Sequence, residues 1–84
     1  MEEKLIGRIT HYFTNIGVAV VELTDGKLSV GDKIHIKGAT SDFEQMIDSM
    51  QIEHESVEKA KKGDAVGLKV EQQVRESDDV YRVE

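Results

Sequence analysis

Apolar and polar residues alternate along most of this 84-residue chain, the spacing of strands that bury one face and expose the other. Leu5 to Phe13 and Gly17 to Leu23 are rich in β-branched and aromatic residues, and Asn15-Ile16-Gly17 between them predicts a hairpin turn. After the turn signal Thr24-Asp25-Gly26, Leu28 and Val30 read as apolar plugs. Gly31-Asp32 then turns into a strand over Lys33 to Lys37, with Ile34 and Ile36 facing inward. The same device recurs at Gly63-Asp64, which launches Val66, Leu68 and Val70 on one face.

Between these runs, Gly38-Ala39-Thr40-Ser41 breaks a strand, and Asp42 to His54 reads as one bent strand or two short ones. The composition of Glu55 to Lys62 predicts a loop with one helical turn around Val57 to Lys61. A last short strand is expected at Val80 to Val83. The pattern therefore predicts one all-β domain over residues 1–84, a small six-stranded closed or nearly closed β-barrel with a single helical turn. Its expected core is Leu5 or Ile6, Ile9, Val21, Leu23, Leu28, Val30, Ile34, Ile36, Met50, Ile52, Val66, Leu68 and Val70.

Composition narrows what such a domain can do. At 38% hydrophobic residues, packing consumes nearly every aliphatic side chain, which leaves little apolar surface for a deep substrate pocket. The absence of cysteine excludes disulfides, thiolate zinc sites and a cysteine nucleophile. A formal charge of -6 argues against general nucleic-acid binding, which needs a basic face. No apolar run is long enough to span a bilayer, and Met1-Glu2-Glu3-Lys4 lacks the basic start of a signal peptide, so the expectation is a cytoplasmic protein with no membrane partner.

Three blocks in order carry a family resemblance: Gly26-x-Leu28-x-Val30-Gly31-Asp32-x-Ile34, Ser49-Met50-Gln51-Ile52, and Val57-Glu58-x-Ala60-x-x-Gly63-Asp64-x-Val66-Gly67-Leu68. Together with Ile6-Gly7-Arg8-Ile9, they resemble the second, β-barrel domain of translational GTPases such as elongation factor Tu, over about residues 5–83. The resemblance implies a translation-factor barrel without its GTPase motor. The glycine-rich approach to the family's second strand is reduced here to Asn15-Ile16-Gly17, in the region that contacts the aminoacylated end of tRNA in elongation factors.

No motif for chemistry emerges from local spacing. Gly26 to Lys33 has the glycine spacing of a phosphate loop but sets Asp32 where a lysine is needed, and a carboxylate there repels phosphate. His11, His35 and His54 show no metal-ligand or catalytic spacing, and acidic pairs such as Asp78-Asp79 read as a solvated face. The expectation is accordingly no enzyme, no nucleotide hydrolysis, and no catalytic, cofactor-binding or metal residues. Arg8, His11, Tyr12, Lys33, His35 and Lys37 form the candidate surface, because cations beside aromatics can hold phosphates and stack bases.

Two binding functions fit this surface, and a small enzyme is a third class. The first is a binding module for RNA or a ribonucleoprotein. The alternative is a protein-interaction or accessory module working with a separate enzyme. Similar barrels accompany collagenase-like peptidases linked to RNA modification, and pseudouridylation particles.

Overall fold

A long first strand joins the two halves of the molecule. In the computed structural model, which describes residues 2–39 and 41–83, β1 spans Glu3–Phe13. Its first half, Glu3 to Arg8, pairs with the last strand, and its second half, Gly7 to Phe13, pairs with β2. Both ladders shift register, at Leu5/Gly7 and at Ile9/His11, and such irregularities let one strand bend between two partners. At the crossing, Gly7 faces both Val80 and Leu23, and a Cβ there would run into the backbone carbonyl of Glu22.

The remaining strands are β2 (Val18–Leu23), β3 (Lys27–Ser29), β4 (Lys33–Lys37), β5 (Asp42–Met46), β6 (Met50–Ile52), β7 (Glu55–Val57), β8 (Lys59–Lys61), β9 (Ala65–Lys69) and β10 (Asp79–Val83). Eight form one antiparallel sheet in the order β5-β4-β10-β1-β2-β9-β6-β7, and β3 pairs with β8 in a second. The described residues are all-β, with no helix. Strand pairing does not close this sheet, because its ends β5 and β7 are not neighbours. The expected six-stranded closed or nearly closed barrel is therefore not confirmed; the described residues form an eight-stranded open sheet and a two-stranded one.

A side chain links the open edge to the other half. Gln45, only 6% exposed on β5, donates from Nε2 to the Lys69 carbonyl at 2.8 Å and accepts the Glu71 amide on Oε1 at 2.8 Å. The expected helical turn is also absent. Val57 ends β7, and Lys59–Lys61 is β8, where Ala60 turns inward opposite Leu28 while its two lysine neighbours face water. Two-residue alternation overrides the local helical composition once a partner strand is available.

The two glycine-aspartate corners are built alike. Gly31 and Gly63 both have φ of 96°, in the left-handed region, where glycine carries no Cβ penalty. Asp32 Oδ2 accepts the Ser29 amide at 2.9 Å and Asp64 Oδ2 accepts the Lys61 amide at 3.0 Å, so each aspartate caps the end of one member of the β3–β8 pair.

The core matches most of the expected residues and adds Ala19, Phe43, Ile47, Ala60, Val74 and Val80. Ile6 is its member rather than Leu5, which is exposed. Val30 is exposed too, because β3 ends at Ser29 and Gly31 turns the chain before another inward position is reached. Ile52 is only half-buried. Asp78, read as part of a solvated face, is buried. Its carboxylate accepts the Arg75 amide at 3.0 Å and fills the space where a side chain on Gly38 would stand. Thr40 of the strand break lies outside the described residues.

Candidate functional site

The outward side of β4 carries three of the candidate residues, Lys33, His35 and Lys37. In register, His35 lies opposite Tyr81 of β10 on one side and Glu44 of β5 on the other. Its Nδ1 is 2.7 Å from Glu3 Oε2, and its Nε2 is 2.5 Å from Asp42 Oδ1. Hydrogen bonding to Asp42 raises the His35 pKa above its ordinary 6.5, against partial desolvation and with further help from Glu3. The same bond lowers the Asp42 pKa below 3.8. Lys33 Nζ meets Glu44 Oε1 at 3.1 Å. One ligand atom each from Glu3, His35 and Glu44 lies within 4.8 Å of the others.

The other three candidates lie along β1. Arg8 is exposed and shares a row with Asp79 and Lys37 across β10 and β4. His11 and Tyr12 lie farther along, where β1 pairs with β2. The His11 ring tilts against Phe13 at 4.4 Å between centroids, and Tyr12 packs on the core. His11 and Tyr12 thus lie apart from the β4 candidates, and of the β4 cations Lys33 and His35 carry carboxylate partners.

Two features escaped the sequence reading. The first is a groove of about 490 Å³ over β2, β9 and β6. Val20, Gly67 and Gln51 lie side by side in register, so the missing side chain at Gly67 opens the floor. Ala65 extends it, Phe13 and Ile16 stand exposed along it, and Glu53 and His54 are at the rim. Glu53 (φ 51°) and His54 (φ 68°) form the two-residue turn between β6 and β7, a left-handed conformation that costs non-glycine residues energy. The second is a polar depression of about 510 Å³ between Lys27, Ser29, Asp32, Lys59, Arg82 and Val83. Its bases come from distant strands, so no charge run announced them.

Among the described residues, no helix is long and apolar enough to cross a membrane. No family profile matches the chain. It is similar to an uncharacterized protease of Methanocaldococcus jannaschii, with 46% identity over 77 residues covering 90% of this chain and 19% of that protein. It is also similar to a collagenase of Porphyromonas gingivalis, with 37% identity over 82 residues covering 96% of this chain and 23% of the collagenase. The chain thus spans about a fifth of the length of the curated relatives it matches.

Among solved structures, the C-terminal domain of a putative U32 peptidase from Geobacillus thermoleovorans superposes with a TM-score of 0.88 at 19% identity, covering 96% of this chain and 93% of that one. The GDP-bound aIF5B of Aeropyrum pernix, a translational GTPase, reaches 0.63 at 16% identity, covering 95% of this chain but 14% of that one.

These likenesses correct two expectations. The translation-factor resemblance survives as a weaker similarity of fold, and the better neighbour is a peptidase domain. The expectation of no enzyme is overturned by relatives named protease and collagenase, which point to a peptidase family.

Proposed function

We propose that this chain works as a module of a collagenase-like peptidase, docking through its apolar groove onto the body of that enzyme. The observation that carries this reading is the match itself: nearly all of this chain corresponds to about a fifth of proteins named protease and collagenase. The other four-fifths is therefore the natural occupant of an exposed apolar face.

The groove has features a docking surface needs. Phe13 and Ile16 are 45% and 62% exposed, giving apolar anchors beside a floor of small residues. Gly67 has neither a positive φ nor a close neighbour, since a Cβ would meet only Val18 at 3.7 Å and the Gln51 carbonyl at 3.8 Å. Glycine is not required there by the fold; it keeps the floor open. The strained Glu53-His54 turn fits the same reading, because strained conformations concentrate where function holds a side chain in place. RNA binding has less support, since Lys33 and His35 already face carboxylates.

The test is co-expression with the rest of the matched Porphyromonas gingivalis collagenase, supplied as a separate chain without the part this domain matches, read by one-to-one co-purification and by hydrolysis of a gelatin-derived peptide. Ile16→Lys and Gly67→Val are expected to weaken association at least tenfold and lower hydrolysis, while shifting stability by no more than about 0.5–1 kcal/mol. Equal association after the groove is filled, or a domain that stays monomeric beside the body, overturns the proposal. Association lost on ribonuclease treatment would instead favour an RNA-bridged module.

A further inference from the structure

We propose that Glu3, His35 and Glu44 form a binding site for a divalent metal ion of the zinc class, with Asp42 orienting the imidazole from its far side. The three donors come from β1 and from the consecutive strands β4 and β5, which the sheet brings together, with Tyr81 of β10 beside the imidazole. Two carboxylates and one imidazole are donors that zinc accepts, and an exposed site leaves the fourth position to water.

The electrostatics favour a cation at Nδ1. Glu3, Asp42 and Glu44 face one imidazole and the Lys33 and Lys37 ammoniums, so negative charge exceeds positive by one once the ring is neutral. A metal ion takes the place of the Nδ1 proton, which leaves to solvent, and brings one charge more. Asp42 keeps the Nε2 proton. Its 2.5 Å contact fixes the tautomer that presents the Nδ1 lone pair toward Glu3, the arrangement by which a carboxylate behind a histidine strengthens a metal ligand.

Tetrahedral bonds of about 2.0–2.2 Å set the ligand atoms roughly 3.3–3.6 Å apart, so the 2.7 Å contact between Glu3 and His35 opens as the proton leaves, and Glu44, within 4.8 Å of both, moves in. Rotamer changes of the two glutamates supply that movement, and Glu44 must exchange Lys33 for the ion. The side chains of Glu3 and Glu44 are 35% and 39% exposed, so solvent does not hinder either change.

The experiment titrates the chelator-treated chain with zinc chloride near neutral pH, by calorimetry and by nitrogen-proton correlation of the histidine rings. One ion per chain is expected, with coordination at His35 Nδ1. His35→Ala should remove binding, and Glu44→Gln should weaken it at least tenfold. Asp42→Asn should weaken it about 10- to 100-fold, and His11→Ala should leave it unchanged. Glu44→Gln replaces a half-exposed side chain and keeps the histidine, so its effect does not depend on refolding. No saturable uptake at millimolar zinc, affinity indifferent to both His35→Ala and Glu44→Gln, or coordination shifts at His11 or His54 instead would each overturn the assignment.

Discussion

On β4 the inward residues are Ile34 and Ile36 and the outward ones Lys33, His35 and Lys37; on β9 the inward residues are Val66 and Leu68 and the outward ones Ala65, Gly67 and Lys69. Both strands bury two aliphatic side chains completely or nearly so. What they show to solvent is opposite. Around β4, the rows from β1 through β10 to β5 carry acids and bases that pair with one another. Around β9, Val18 and Val20 of β2 and the small Ala65 and Gly67 leave a trough, with Gln51 of β6 beside it. The inward half of the alternation builds the sheet, so the outward half is free to differ and is where function can be written.

Breaking the seam between the two regions should have the largest effect. Gly7 belongs to both ladders, facing Val80 in one and Leu23 in the other. Gly7→Ala places a Cβ against the Glu22 carbonyl, a backbone atom that cannot rotate away. A loss of about 3 kcal/mol or more is expected from such overpacking. Urea unfolding checks it, and loss of both the His35 contacts and the groove in the same variant would show that one strand holds the two regions in place. The contrast with Gly67 is direct, since Gly67→Ala should be neutral or slightly stabilising.

Gln45 joins the free edge of the charged region to the end of the apolar one. Gln45→Leu keeps the volume and removes both hydrogen bonds, leaving the Lys69 carbonyl and the Glu71 amide without that partner. About 2 kcal/mol should be lost. Hydrogen exchange should also quicken at Glu71, whereas a variant as stable as the parent would mean that strand ladders alone hold β5 in place.

How much of this was legible follows from where each signal lies. Strand alternation and glycine-aspartate turns are local, so Ile34, Ile36, Val66 and Leu68 could be assigned inward from their neighbours alone. Gln45 could have been found the same way: Phe43 and Ile47 bracket it at the inward spacing, but a polar residue in that slot reads as an interruption unless its distant partners are known. Ala60 was hidden because lysines beside alanine favour a helix, and only pairing with Leu28 decides for a strand. The His35 cluster and the groove depend wholly on register. Glu3 is separated from His35 and Glu44 by two strands in sequence, and Gly67 becomes a floor only once Val20 and Gln51 stand beside it.

The smallest expected effect separates charge pairing from packing in the charged region. In metal-free protein the groups facing His35 are Glu3, Asp42 and Glu44, with Tyr81 and the cations Lys33 and Lys37 close by. Because the folded-state pKa of His35 is raised above 6.5, protonated imidazole stabilises the fold fully below pH 6.5, and this contribution disappears as pH rises through the folded-state value. At the acid end the depressed Asp42 pKa works the other way: its contribution is present above pH 3.8 and is lost as pH falls through the lower folded-state value. Stability should therefore decline on the alkaline side by about 1 kcal/mol or less, as expected for a pair near the surface. Urea midpoints measured across this range in the presence of a chelator should show the slope in the parent and a flat profile in His35→Gln, which keeps hydrogen-bonding atoms but cannot take the charge. A slope that persists in His35→Gln would move the titration to another group. A flat parent would mean that β4 is held by Ile34 and Ile36 alone, making the two regions alike in what stabilises them and different only in what they display.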